Sequence, residues 1–380
     1  MDFGFTQEHQ QLRKTIRAFA EAEMLPHVME WDESQVFPVD IFQKLGDLGV
    51  LGAVFPEDLG GSGHSYVDYS ILVEELARVD PSIATSLAAH VSLCASHIFL
   101  AGSDEQRRAY IPELASGKII GAWALTEPES GSDAGGMRTA AVRQGDCWVL
   151  NGSKTFITNA HIADIFVVMA MTDRAQASHG ISAIIVEKNT PGFRIGKKEN
   201  KLGMRCSPTG ELIFTDCQVP AASLIGKQGE GFIDSLRVLD GGRITIAALS
   251  VGVAQGAYEA SLKYSKQRKQ FGRSISEFQS IQNKLADMAT EIDAARLLTL
   301  RAAWMKDTGA GVNKESSMAK LYASEVAVRV ANEAVQIHGG YGFIKDYPVE
   351  KFYRDVKLCT IGEGTSEIQR VVIARQLLKS

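Results

Sequence analysis

Glu363 stands between Gly362 and Gly364 in the stretch CTIGEGTSEIQR, residues 359–370. Flanking glycines adopt backbone conformations closed to other residues and let another molecule approach the main chain closely. Ser366 and Gln369 have the spacing of a capping box, and Ile368, Val371, Val372 and Leu378 supply an apolar face. A helix is therefore predicted to begin near Ser366, with free N–H groups at its start to face an anion. Taken alone, the stretch leaves two readings open: a carboxylate beside a bound ligand, or a solvated loop glutamate.

Four further strings carry residues of the right types. WALTEPESGSDAGG, residues 123–136, combines small and hydroxylated residues suited to close approach by a planar ligand. As plain turn residues, Thr126 and Ser132 would bond their own backbone instead. KTFITN, residues 154–159, places an aromatic and a hydroxyl on one alternating strand, where Phe156 would otherwise be core. QRKQFG, residues 267–272, sets Arg268 near an aromatic, as for a pyrophosphate and an adenine or for a snorkelling surface arginine. AVQIHGGYGF, residues 334–343, ends a helix in paired glycines, which also describes a simple C-cap.

These strings must be positioned by a chain of 380 residues, 45% hydrophobic and 22% charged, long enough for two or three domains. The net charge of -5 gives no footprint for nucleic acid or anionic lipid. Five scattered cysteines without a C-x-x-C pair fit a reducing compartment without structural zinc. The opening MDFGFTQEHQQLRK shows no secretory or transit signal, so a cytoplasmic location is expected, a mature organellar form being the alternative. Residues 82–102 contain no charge and are long enough to span a bilayer, but four serines and two histidines favour a helix buried in a large protein over stable membrane insertion.

Helical spacing dominates residues 1–120, with Leu12, Ile16, Phe19, Ala20 and Met24 on one face and Tyr69, Leu72, Val73 and Leu76 on another. Residues 121–225 turn to short β-branched and aromatic runs separated by Asn151-Gly152, Pro191-Gly192 and Pro208 to Gly210. Over 226–380 helical spacing returns, as in Leu285, Met288, Ile292 and Ala295. The expected class is α+β: a helical N-terminal domain, a middle β-domain and a C-terminal helix bundle. No Walker A loop, G-x-G-x-x-G, G-x-S-x-G or H-E-x-x-H motif is present, which argues against a nicotinamide or P-loop enzyme.

Taken together, LTEPESGSDAGG, LNGSKTFITNA, LGMRCSPTGELIF, LDGGRITIA, RKQFG, VQIHGGYGF and EGTSEIQR resemble the acyl-CoA dehydrogenase family over nearly the whole chain, nearest to its short- and medium-chain members. The resemblance implies FAD as cofactor. Trp123, Leu125, Thr126, Gly131 and Ser132 would line the flavin ring, and Phe156, Ile157 and Thr158 would cover its other side. Arg268, Phe271, Gln279, Gln336, Gly339 and Gly340 would reach the pyrophosphate and adenine from a neighbouring subunit, while Thr365 and Glu367 match further FAD contacts. Ser132, Asp240, Arg243 and Gly364 match positions touching the acyl-CoA thioester and its pantetheine arm.

On the same resemblance Glu363 is the base that removes the Cα proton while hydride leaves Cβ for the flavin, giving a trans-2-enoyl thioester. A homotetramer, a dimer of dimers, is expected, passing electrons to an electron-transfer flavoprotein, as in fatty-acid β-oxidation. Two positions depart from the family pattern. Many members carry tyrosine where Gly362 stands, so a wider acyl pocket is expected, and another branch places its base where Gly242 stands. Rival readings are a relative acting on a carrier-protein-bound acyl group or using oxygen, and a flavin-holding DNA-binding relative; the retained Glu363 and the acidic balance count against the monooxygenase and DNA-binding branches.

Overall fold

The computed structural model describes residues 4–379. The first three residues of the opening stretch read for a targeting signal, and the final residue of the 226–380 region, lie outside the described residues.

Local sequence signals set the helix starts of the N-terminal region. Thr6, Ser65 and Ser103 each accept a backbone N–H three residues on, and open α1 (Gln7–Phe19), α4 (Tyr66–Ala77) and α7 (Asp104–Ala115). The short α2 (Val28–Ser34) and α3 (Val39–Asp47) lie between α1 and α4. Asp80 caps α5 (Pro81–Ala88) with proline at its first helical position, and a π-helical segment, Ala89–Ala95, leads into α6 (Ser96–Ala101). The uncharged stretch is thus an interior helix, nearly all of it buried, although its composition would let it cross a membrane. The apolar faces expected on α1 and α4 are core: Ile16, Ala20, Met24, Tyr69, Leu72, Val73 and Leu76 are all buried.

An eight-stranded sheet follows. β1 (Gly121–Ala124) and β2 (Ala140–Gln144) both pair in parallel with β4 (Ile165–Met171). β3 (Cys147–Thr158), β5 (Ile181–Glu187), β6 (Phe193–Lys198), β7 (Thr209–Pro220) and β8 (Leu224–Ile225) complete the order β6-β7-β3-β2-β4-β5-β8. The C-terminal region packs three long helices, α8 (Gly231–Gln267), α9 (Gln279–Asp307) and α10 (Asn313–His338), with the shorter α11 (Val349–Asp355) and α12 (Ser366–Leu377). A small hairpin, β9 (Lys269–Gln270) and β10 (Arg273–Ser274), separates α8 from α9. Its turn is Phe271-Gly272, both at positive φ, as a two-residue hairpin turn requires. The helical, β and helical order is the α+β arrangement expected.

The start of α12 corrects one expectation. Its cap is Thr365, one residue before Ser366, accepting the Ile368 N–H at 3.3 Å. Gln369 does not close a capping box but reaches back to the carbonyls of Glu363 and Gly364. The expected apolar face is not core in the protomer either: Val371 is exposed and Leu378 is 86% exposed.

The three regions meet on the β6–β7 loop. Buried Lys351 on α11 lies 3.0 Å from Asp80 and 2.6 Å from Asp355, both fully buried. Asp80 accepts the Ser82 N–H and Asp355 accepts the Met204 N–H from that loop. Burial alone would lower the Lys351 ammonium, but Asp355 and Asp80 hold it well above the ordinary lysine value. A Cβ on Gly203 would stand 2.4 Å from the Arg354 backbone, which explains glycine there. Lys351→Met would leave two buried carboxylates facing each other. It should cost about 3–5 kcal/mol of stability, measured by urea unfolding, whereas a surface lysine change such as Lys227→Met should be near neutral.

Candidate active site

The loop that presents Glu363 is short and tied at both ends. The N–H groups of Ile361 and Gly362 donate to the Leu358 carbonyl at 2.9 and 2.8 Å. Glu363 and Gly364 then follow at φ +53° and +93°, two successive left-handed residues. A Cβ at Gly364 would come within 2.7 Å of Gln369 Nε2, so only glycine fits. Glutamate at positive φ costs about 1–3 kcal/mol and persists only where its surroundings impose it. They do so here: Lys320 Nζ donates to the Gly364 carbonyl at 2.7 Å, and Gln369 Nε2 donates to the Glu363 and Gly364 carbonyls at 3.2 and 3.0 Å.

The Glu363 side chain points at α8. A Cβ built on Gly242 would lie 2.2 Å from Glu363 Oε2 and 3.0 Å from Leu93 Cδ2. The glycine at 242 therefore creates the space that the carboxylate occupies. Glu363 as a whole is partly exposed, but Oε2 is buried and has no hydrogen-bond partner. Burial pushes its pKa up to about 7, with Lys320 and then Arg243 pulling it down. Arg243 is buried and gives one N–H to Asp240 at 2.8 Å; Asp240 also accepts from Asn313 at 2.9 Å. Asp240, Arg243 and Gly364 thus gather around Glu363. Ser132 does not: it is exposed on the β-domain loop, with no hydrogen bond to them.

The β-domain residues form a second group. Trp123 on β1 donates its Nε1–H to His97 Nδ1 at 3.1 Å, and the Thr126 carbonyl accepts the Thr155 N–H at 2.9 Å, tying the loop after β1 to β3. A β-bulge in β3 between Lys154 and Ile157 holds Phe156 at φ +57° and leaves it 65% exposed. Phe156 is therefore no core residue. Beside it Ile157 is buried and Thr158 half-buried, and Gly131 borders open space.

A third group sits where α8 ends, α9 begins and α10 ends. Arg268 lies 5.3 Å over the Tyr341 ring, Phe271 is 93% exposed at its hairpin turn, and Gln279, Gln336, Gly339 and Gly340 are exposed. No hydrogen bond, ion pair or ring contact among the described residues joins this group to Trp123, Thr126, Phe156 or Thr158. Thr365 caps α12 and Glu367 is exposed in its first turn.

Sequence reasoning missed the residues that build these groups from below. Buried Lys154 donates to Glu127 at 2.7 Å and to the Leu125 carbonyl at 3.0 Å, and Glu127 also accepts the Arg138 and Thr139 N–H groups. Burial lowers the Lys154 ammonium to about 8 against the pull of Glu127. Lys320, Gln369 and His97 were also unmarked; the signal available was a lysine inside LNGSKTFITNA and another in the apolar run of α10.

The acyl-CoA dehydrogenase N-terminal, middle and C-terminal domain families match residues 6–118, 122–217 and 229–378. The chain is 50% identical over 380 residues, all of both chains, to the probable acyl-CoA dehydrogenase YngJ of Bacillus subtilis (strain 168). It superposes at TM-score 0.99 and 48% identity, over all of both chains, on a chain in the structure of the electron transferring flavoprotein of Acidaminococcus fermentans. Against butyryl-CoA dehydrogenase from Megasphaera elsdenii the TM-score is 0.98 and the identity 45%, again over all of both chains. The chain belongs to the acyl-CoA dehydrogenase family.

The raised Glu363 carboxyl has a consequence for stability. Its folded value lies near 7 and its unfolded value near 4.5, so the folded state holds the extra proton between them. Stability is then lost as pH rises from about 4.5 through 7. Glu363→Gln, which has no charge to bury, should melt higher than the wild type at pH 8, and the difference should disappear below about pH 4.5. A carboxylate that held the loop together would give the opposite sign.

Proposed function

We propose that the protein is an FAD-dependent acyl-CoA dehydrogenase in which Glu363 removes the α-proton of an acyl-CoA thioester. The observation that carries this reading is the buried, unpartnered Glu363 oxygen facing Gly242, with its basicity raised by burial. An alkyl Cα–H next to a thioester is a weak acid, so a base near neutral pKa suits the task.

The residues present fit FAD on three observations. The bulge holds the Phe156 ring out as a flat apolar face, the Thr126 and Thr158 hydroxyls have no protein partner among the described residues, and Gly131 leaves room for close approach. Trp123, Leu125, Thr126, Gly131, Ser132 and Phe156 to Thr158 would hold the ring system. Arg268, Phe271, Gln279, Gln336, Gly339 and Gly340 would hold the pyrophosphate and adenine, with Thr365 and Glu367 as further contacts. When bound, FAD supplies the acceptor for the hydride lost from Cβ.

The chain's own work is to place and charge the thioester. Glu363 must be ionised to take the proton, which leaves the thioester carbonyl carrying negative charge. The Glu363 N–H has no protein partner among the described residues and stands ready to donate to that oxygen. Arg243, paired to Asp240, lends positive potential to the same volume. Proton loss from Cα and hydride loss from Cβ together give the trans-2-enoyl thioester.

The same reading extends to assembly and electron transfer. The separate Arg268 and Phe156 groups suit an FAD shared between subunits, and the exposed Val371, Leu378, Phe271 and Phe343 supply apolar surface for a homotetramer. The match to a chain in the flavoprotein structure from Acidaminococcus fermentans supports an electron-transfer flavoprotein as the acceptor.

Glu363→Gln should keep FAD and acyl-CoA binding yet lose at least ~10²-fold in anaerobic flavin reduction, followed as bleaching of the flavin absorbance. Rapid bleaching by a folded variant would remove Glu363 from the mechanism. Gly362 has no positive φ, and a Cβ there would make only ordinary contacts with Leu358 at 3.5–3.7 Å. Gly362→Tyr should therefore fold, and should reduce turnover of branched thioesters more than that of butyryl-CoA. Equal losses would show that Gly362 does not wall the acyl pocket.

A further inference from the structure

Lys320 is fully buried in the middle of α10, and its Nζ has a single hydrogen bond, to the Gly364 carbonyl. That carbonyl already accepts from Gln369. Hydrogen-bond satisfaction therefore does not explain an ammonium here, because burying one is costly and a neutral donor is in place.

The charges around it supply the reason. Glu363 is faced by Lys320 from α10, by Arg243 from α8 and by the Tyr69 hydroxyl from α4. Arg243 is balanced by Asp240 at 2.8 Å, and burial raises Tyr69 far above the range in which it ionises. Around Lys320 stand Cys359, Glu363, Arg243 and Glu367. Burial raises Cys359 to about 11, which keeps it neutral, and Glu367 is exposed to solvent. The one buried carboxylate left to balance Lys320 is Glu363.

We propose that Lys320 is a positioning residue for the base: its bond to the Gly364 carbonyl holds Glu363 in the left-handed conformation, and its positive charge keeps the carboxylate ionised in the working pH range. The proposal rests on the reading of Glu363 as the base. Removing the charge leaves Glu363 to desolvation alone, so its pKa rises and fewer molecules carry an ionised base at neutral pH.

The test uses FAD-loaded Lys320→Gln, which keeps a donor without charge, Lys320→Met, which keeps neither, and Lys320→Arg, which keeps the charge. The Glu363 midpoint is read from its carboxyl infrared band, identified by its absence in Glu363→Gln, alongside the pH profile of flavin reduction by butyryl-CoA. In Lys320→Gln both should move up by at least ~1 pH unit, with the high-pH rate retained within a few-fold. Lys320→Met should show the same shift plus a loss of ~10-fold or more in the high-pH rate as the loop relaxes. Lys320→Arg should restore the midpoint.

An unchanged Glu363 midpoint in Lys320→Gln and Lys320→Met overturns the proposal. Coupling is reciprocal, so it is also read without touching Lys320: in Glu363→Gln the Lys320 ammonium, followed by NMR of labelled lysine, should titrate lower than in the wild type. An unchanged lysine midpoint overturns the proposal equally. If Glu363 is not the base, flavin reduction persists in Glu363→Gln while this charge coupling remains, so the two failures are told apart.

Discussion

The arrangement depends on a buried positive charge held between two buried negative ones. Lys351 on α11 joins Asp80, which opens α5, to Asp355, which anchors the β6–β7 loop through the Met204 N–H. Charges taken out of water are costly unless their partners and remaining hydrogen bonds are all in place. That requirement gives the knot its specificity: it forms only when the N-terminal helices, the sheet and the C-terminal helices meet in one registration. Gly203 packs against the Arg354 backbone at the same point, and Arg354 reaches Asp32 on α2 at 2.7 Å. The wall at β1 and the carboxylate after α11 lie on different regions of the chain, so their separation is fixed by such contacts.

The site spends conformational and electrostatic energy at a single residue. Glu363 combines a left-handed backbone, a buried unpartnered oxygen and a neighbour reduced to hydrogen at position 242. Each is unfavourable for folding, and each favours proton abstraction: the strain aims the carboxylate, burial raises its basicity, and Gly242 gives it room. The surrounding helices are well packed, with α5 and the start of the π-helical segment buried along their whole length.

The order of helices, sheet and helices was legible because it is written in hydrophobic period, which needs no knowledge of distant partners. Glu363 was legible because its glycines are adjacent in sequence. Phe156 was misread as one residue of a regular alternation, since the bulge that turns it outward depends on the register between β3 and β7. The cap of α12 was placed one residue late because Ser366 and Gln369 mimic a box, while Gln369 serves the loop carbonyls. Lys154, Lys320 and Lys351 were invisible for a common reason. Their partners lie 27, 44 and 271 residues away in sequence, and a lysine in an apolar run reads as a surface residue until its counter-charge is located.

The closeness of Gly242 to the Glu363 carboxylate also bears on how such a site can change. The branch of the family with its base on the helix uses the position of Gly242, and here that position and the loop carboxylate converge on one volume. The active site thus has two anchoring points for a single functional group. An acidic side chain gained at 242 would crowd a second carboxylate into occupied space, and loss of the acid at 363 would leave none. Each step alone is harmful while the pair together restores the group, a case of reciprocal sign epistasis. A lineage holding one anchor is confined to it by the geometry of a single contact.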